Sequence, residues 1–340
     1  MPPAVVYVSN ADSREIHVLS LDGGTGAVSL VQRMPVPGAV MPLAVSPSRR
    51  FLYASLRSPP FAVATLAIDA AAGTLTLLAT APLPDNTAYL STDKTGRFLF
   101  GASYAGDTIS VHPIGEQGVV QERPVQVIPT PPHPHSIVVD PSNRYLFVPS
   151  LGGDRILQYT FDQRTGRVAP NAPPAVRAAN GAGPRHLVFH PGGRYAYTTN
   201  ELDATVGAYR FDAAGGTLAP AGASSGLPPD FAGRPPFAAA DLHVTPDGKF
   251  LYASERASST LAGFKIDAGS GGLAPIGSFS TEQQPRGFNI DPHGRYLLAV
   301  GQASHSMTVY AIDQDTGALA PRHRSPMGRN PNWVEIIDRP

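Results

Sequence analysis

The chain has 340 residues, with 26 Lys and Arg against 26 Asp and Glu and no cysteine. Balanced charge offers no basic stripe for nucleic acid or for an anionic membrane surface, and the missing thiols exclude disulfides, thiolate zinc sites and cysteine nucleophiles together. A hydrophobic fraction of 42% is too high for disorder, and 34 Gly with 36 Pro point to many short strands joined by turns.

The opening Met1-Pro2-Pro3-Ala4-Val5-Val6 has neither a basic segment nor a long apolar one, and no run of 18 apolar residues follows. The sequence therefore reads as cytoplasmic, with no membrane partner and no nucleic-acid partner. The first predicted strand is Val5-Val6-Tyr7-Val8, and the first turn has the form Asp, three residues, Gly at Asp22/Gly26. A second kind of turn comes next, Ser46-Pro47-Ser48-Arg49-Arg50-Phe51-Leu52-Tyr53.

That second turn recurs down the chain. It returns as Asp140-Pro141-Ser142-Asn143-Arg144-Tyr145, His190-Pro191-Gly192-Gly193-Arg194-Tyr195, Thr245-Pro246-Asp247-Gly248-Lys249-Phe250 and Asp291-Pro292-His293-Gly294-Arg295-Tyr296. A weaker copy, Asp93-Lys94-Thr95-Gly96-Arg97-Phe98, has lost its proline. The basic anchors Arg50, Arg97, Arg144, Arg194, Lys249 and Arg295 are spaced 47, 47, 50, 55 and 46 residues apart. The Asp-x-x-x-Gly turn keeps step at Asp69/Gly73, Asp162/Gly166, Asp212/Gly216, Asp267/Gly271 and Asp313/Gly317, with a degenerate copy at Gly115 to Gly118.

A period near 48 residues with four short strands per unit predicts an all-β, seven-bladed β-propeller of four antiparallel strands per blade. It reads as one domain over residues 1–340. The chain starts on a second strand and ends on a spare first strand, Trp333-Val334-Glu335-Ile336-Ile337, so the termini are expected to share a blade and close the ring. Both repeated turns fall on one face, where Gly supplies positive φ, Asp caps the turn and Arg packs across blades. The other face carries what varies.

Aligned repeats place Met41, Ala88, His135, Arg185, Ala240, Arg286 and Asn332 at the start of the innermost strands, followed by Pro42, Tyr89, Ser136, His186, Asp241, Gly287 and Trp333. At the mouth of the loop between the second and third strands stand Arg57, Tyr104, Leu151, Glu201, Arg256, Gln302 and Ala11. Innermost strands surround the central channel, so these side chains are expected to converge. Arg185 and Arg286 suit a carboxylate or phosphate, Glu201 and His135 can move a proton, and a plain Arg185–Glu201 ion pair bracing two loops is the structural alternative.

His133, His186, His243 and His305 lack metal-site spacing, and no nucleophile elbow or dinucleotide loop is present, so no metal and no cofactor is expected. His190 and His293 read as solvated members of the repeated turns, and His243 as a packed core residue. The insertion Leu227-Pro228-Pro229-Asp230-Phe231-Ala232-Gly233-Arg234-Pro235-Pro236-Phe237 accounts for the longest spacing. It reads either as a lid whose Phe231 and Arg234 reach the channel mouth or as a tolerated extension.

Gly181-Ala182-Gly183-Pro184-Arg185-His186-Leu187-Val188-Phe189-His190-Pro191 with Tyr197-Thr198-Thr199-Asn200-Glu201-Leu202, Gln284-Pro285-Arg286-Gly287-Phe288-Asn289, Ala299-Val300-Gly301-Gln302, and His135-Ser136 resemble the lactonase family of seven-bladed propellers, cycloisomerase-type 6-phosphogluconolactonases above all. The resemblance runs along essentially the whole chain. It implies hydrolysis of 6-phospho-D-glucono-1,5-lactone in the pentose phosphate pathway, with His135, Arg185, Glu201 and Arg286 catalytic and His186, Asn289, Gln302, Arg256 and Asp241 binding substrate. A carboxymuconate-type cycloisomerase, another sugar lactonase, and a non-catalytic interaction platform remain alternatives. The expected partner is a small phosphorylated sugar lactone, and the chain is expected to be a monomer or weak dimer.

Overall fold

The computed structural model describes residues 4–339; Met1, Pro2 and Pro3 of the opening segment and the final Pro340 lie outside the described residues. Seven four-stranded antiparallel sheets stand around a ring: residues 40–82, 87–129, 138–177, 184–225, 239–280 and 287–326 form blades one to six. Blade seven joins Pro331–Asp338 to Ala4–Asn10, Glu15–Leu21 and Val28–Pro35. The terminal strands pair antiparallel from Ala4↔Asp338 to Asn10↔Pro331, so the ring closes by backbone hydrogen bonds as the strand count predicts.

The apolar core is divided rather than central. Seven clusters of buried residues each span one joint between neighbouring blades, for example Tyr7, Ile16 and Val18 of blade seven against Val40, Leu52 and Leu66 of blade one. Strands that alternate apolar positions on both faces bury one face against each neighbour, which is why nearly every second strand reads as buried throughout.

The two repeated turns meet across each joint. The Asp of the Asp-x-x-x-Gly turn accepts hydrogen bonds from the turn's own amides, as Asp22 Oδ1 does from Gly24 N at 3.0 Å and Thr25 N at 2.7 Å. The Gly takes positive φ, and an aromatic ring of the neighbouring blade lies on it: a Cβ on Gly26, at φ +76°, would stand 2.6 Å from Tyr296 Cε1. Tyr hydroxyls add a latch, Tyr7 to the Gly73 carbonyl at 2.9 Å, Tyr53 to Gly118 at 2.9 Å, Tyr197 to Gly271 at 3.1 Å and Tyr252 to Gly317 at 2.7 Å. The anchor arginines cross the same joints, Arg144 to the Ala213 carbonyl at 2.8 Å and Arg194 to the Ala268 carbonyl at 2.7 Å.

Three expectations need correction here. His190 is not a solvated turn residue: its Nε2 meets the Gly248 carbonyl at 3.0 Å and stitches blade four to blade five. His243 is not packed away in the core, because it is half-buried on the channel wall beside Asp241. The insertion places Phe231, with Leu227, Pro228 and Pro229, on a cavity shared with Phe264, Pro275 and Gly277 of the outer strands of blade five, and not on the wall around Glu201 and Arg286. The proline lost at Lys94 also has a structural sequel, since the freed amide donates to Asn143 Oδ1 of the next blade at 2.8 Å.

Candidate active site

The innermost strands begin with a defect that aims their side chains. Pairing of the first and second strands skips a residue between Pro184 and His186, between Thr87 and Tyr89, and between Trp333 and Pro331, so Arg185, Ala88 and Asn332 are the extra residues of β-bulges. A bulge turns its extra residue out of the pleat and is common beside working sites. The column picked out by repeat alignment is thus a ring of bulged or strand-leading positions.

A cavity of about 160 Å³ opens among Arg57, Ala88, Tyr104, His135, Glu201 and Arg286, contributed by blades one, two, three, four and six. His135, Glu201 and Arg286 are brought together on this wall. Arg185 is not on it. Its side chain is 1% exposed and lies behind Glu201, with Nε 2.6 Å from Glu201 Oε2. The Nε–H does not point along that line, so the contact is an ion pair and not an aligned hydrogen bond. Arg256 takes the other oxygen, Nη2 to Oε1 at 3.1 Å. The ion-pair alternative for Arg185 is therefore the arrangement adopted.

Glu201 is held from both sides by the backbone as well, its amide donating to Gly183 O at 2.8 Å and its carbonyl accepting from Ala239 N at 3.2 Å. Burial would raise its carboxyl, but Arg185, Arg256 and Arg286 outweigh burial and hold it below the ordinary range. Arg286 has no hydrogen-bond or ion-pair partner among the described residues, and burial together with the guanidinia of Arg185, Arg256 and Arg57 pushes its pKa well down. Arg185 and Arg256 therefore share the Glu201 carboxylate, while Arg57 and Arg286 form no ion pair among the described residues. Such an excess invites an anion.

His135 is 4% exposed, and its Nδ1 is buried without a partner. Burial first, then Arg185, His186, Arg286 and Arg256, keep the ring neutral, with a pKa well below the usual histidine value. Tyr104 sits edge-on to it at 5.7 Å between centroids and is itself stacked on His133 at 4.3 Å.

His186 and Asp241 form a second layer. His186 Nδ1 faces Asp241 Oδ1 at 2.9 Å and Nε2 faces Arg185 Nη1 at 3.0 Å. An arginine can only donate, so Nε2 accepts and the proton sits on Nδ1, a tautomer that Asp241 matches. Burial, then Arg185, lowers the His186 pKa to about 4. His186, Asp241 and Asn289 line a separate channel cavity of about 250 Å³ with Tyr89, Trp333 and Glu335. Asn289 donates to the Val334 carbonyl at 2.9 Å there, away from the Arg286 pocket. Gln302 turns to Asn330 Oδ1 at 2.7 Å and does not line the cavity.

Arg57 and Tyr104 stand on the wall as their column implies, although neither was expected to be catalytic or to bind substrate. Both lie in the loop-mouth column that also holds Glu201, four positions after Tyr53 and Phe100. Among the described residues, no three His, Asp or Glu side chains come together to hold a metal ion.

A family model described as "Lactonase, 7-bladed beta-propeller" matches residues 5–336. A 6-phosphogluconolactonase of Serratia proteamaculans is 43% identical over 333 residues, 98% of each chain, and one of Yersinia enterocolitica is 42% identical over the same share. Among solved structures, a putative 6-phosphogluconolactonase from Bacteroides fragilis superposes with a TM-score of 0.91 at 28% identity, covering 99% of this chain and 98% of the other. The periplasmic gluconolactonase of Pseudomonas aeruginosa gives a TM-score of 0.92 at 27% identity, covering 99% and 100%.

Proposed function

The chain belongs to the seven-bladed β-propeller lactonase family, and from that premise we propose that it is a carboxylic-ester hydrolase that opens 6-phospho-D-glucono-1,5-lactone to 6-phosphogluconate, a step of the pentose phosphate pathway. The substrate is a small phosphorylated sugar lactone. A charged sugar phosphate crosses a bilayer poorly, which supports a cytoplasmic site of action for this reading.

The observation that carries the reading is the cavity wall, on which a neutral imidazole, a fixed carboxylate and a guanidinium with no anionic partner face one small space. Water attacks the lactone carbonyl, the ring C–O bond breaks, and the ring oxygen leaves as a hydroxyl. His135 is assigned as the base that takes the water proton and returns it to that oxygen. Glu201 is a weaker candidate: its two oxygens are occupied by Arg185 and Arg256, and its pKa is lowered. Its part is to hold those arginines, whose field stabilises the tetrahedral oxyanion. Because a δ-lactone opens readily in water, modest stabilisation suffices and no covalent nucleophile is required.

The test is the rate of 6-phosphogluconate release from freshly made lactone, followed through a coupled dehydrogenase, with and without chelator. Acceleration well above spontaneous opening, unaffected by chelator, is expected. No acceleration would sink the assignment, and turnover of a carboxymuconate in its place would move the protein to the cycloisomerases.

A further inference from the structure

The charges around the cavity are not equivalent. Arg185 and Arg256 are committed to Glu201, and their remaining contacts go to His186 and to the Ala240 and Ala238 carbonyls. Arg57 and Arg286 form no ion pair among the described residues, Asp85 acting on Arg57 only through its field. Arg57 Nε donates to Asn86 Oδ1, and its Nη1 lies 3.1 Å from the Met41 thioether, a weak acceptor. The nearest acid, Asp85, turns to Ser103 Oγ at 2.8 Å and to the Asn86 amide at 2.7 Å. Neutral groups therefore make the hydrogen bonds of the Arg57 head, and burial lowers its pKa against the opposing charge of Asp85.

Position adds a direction. Arg57 follows the second strand of blade one and Arg286 leads the first strand of blade six, so the two flank blade seven. His135 and Glu201 belong to blades three and four, on the opposite arc. In a 6-phosphorylated δ-lactone the carbonyl and the phosphate lie on opposite sides of the ring oxygen. A molecule with its carbonyl at His135 extends its phosphate toward Arg57 and Arg286.

Resting on the lactonase reading above, we propose that Arg57 together with Arg286 forms the subsite for the substrate's phosphate, and that Arg57 sets the preference for a phosphorylated lactone over its unphosphorylated counterpart. Two guanidinia with free edges fit a dianionic phosphate, whereas the Glu201-bound pair cannot approach one without losing its carboxylate.

The experiment compares kcat/KM on fresh 6-phosphogluconolactone and on glucono-1,5-lactone for the wild type, Arg57→Met and Arg57→Lys. Charged hydrogen bonds of this kind correspond to about a 10- to 100-fold effect. The ratio of the two kcat/KM values is expected to fall by that factor in Arg57→Met, chiefly through KM, and to recover in part in Arg57→Lys. Inorganic phosphate should compete with substrate in the wild type and compete less well in Arg57→Lys, a readout available even if Arg57→Met does not fold. An unchanged ratio, equal loss on both lactones, or no competition by phosphate overturns the subsite and leaves the lactonase reading standing. A wild type that opens neither lactone overturns both.

Discussion

Arg185 Nε stands 2.6 Å from Glu201 Oε2, with the arginine side chain 1% exposed and the glutamate 20%. The pair is the hinge of the site's electrostatics, because removing the carboxylate leaves a buried guanidinium without its counter-charge. Glu201→Gln is expected to cost about 3 kcal/mol of unfolding free energy, measured by denaturant titration. The Arg185→Met, Glu201→Gln double variant should recover much of that loss. If the single variant is as stable as wild type, the pair is not what holds these two loops.

His135 sets the pH dependence. A base works in its deprotonated form, and burial together with the surrounding arginines holds the His135 pKa well below 6.5. The acid limb of kcat/KM should therefore lie well below the ordinary histidine range, with a flat profile through neutrality, and His135→Asn should abolish the catalysed rate. A limb centred near 6.5 would mean that a solvated group, and not this ring, carries the proton.

Two glycines separate conformational strain from collision. Gly26 and Gly181 have φ of +76° and +73°, but a Cβ at Gly26 meets the Tyr296 ring whereas one at Gly181 has nothing within 4 Å. Gly181→Ala should cost about 1 kcal/mol, the price of left-handed backbone alone. Gly26→Ala should cost about 3 kcal/mol or more, since the neighbouring blade must also shift. Equal midpoints in denaturant would argue against the inter-blade latch.

Removing residues 227–237 and rejoining the chain with a short turn should leave KM unchanged, because Phe231 lines an outer cavity of blade five and is not on the wall of the binding cavity. A raised KM would restore the lid.

Much of this molecule is legible in its sequence, and the limits have a geometric cause. Repeat alignment gives each residue's blade and its place along the strand, which is enough to collect His135, Glu201 and Arg286 in one space. Place along the strand also implies depth in the channel, and that depth separates residues a column listing groups together. A residue three places along a strand lies roughly 10 Å deeper, so Asn289, three after Arg286, lines a different cavity. Side-chain pairing is equally invisible: nothing in the columns distinguishes the arginine committed to Glu201 from the one left free. Arg57 shares its column with Glu201, but a loop residue declares its direction only once the loop is built.

The latches between blades carry a consequence for how the protein comes apart. In an open repeat array the end units fray first and loss spreads inward. Here Tyr7 of the closing blade grips the Gly73 turn of blade one, and the strand beside it is the chain's own last, so no unit is terminal. Loosening one joint relieves none of the others of their geometry. Melting is expected to be cooperative around the whole circumference, with the binding cavity, built from five of the seven blades, lost in the same transition as the sheets.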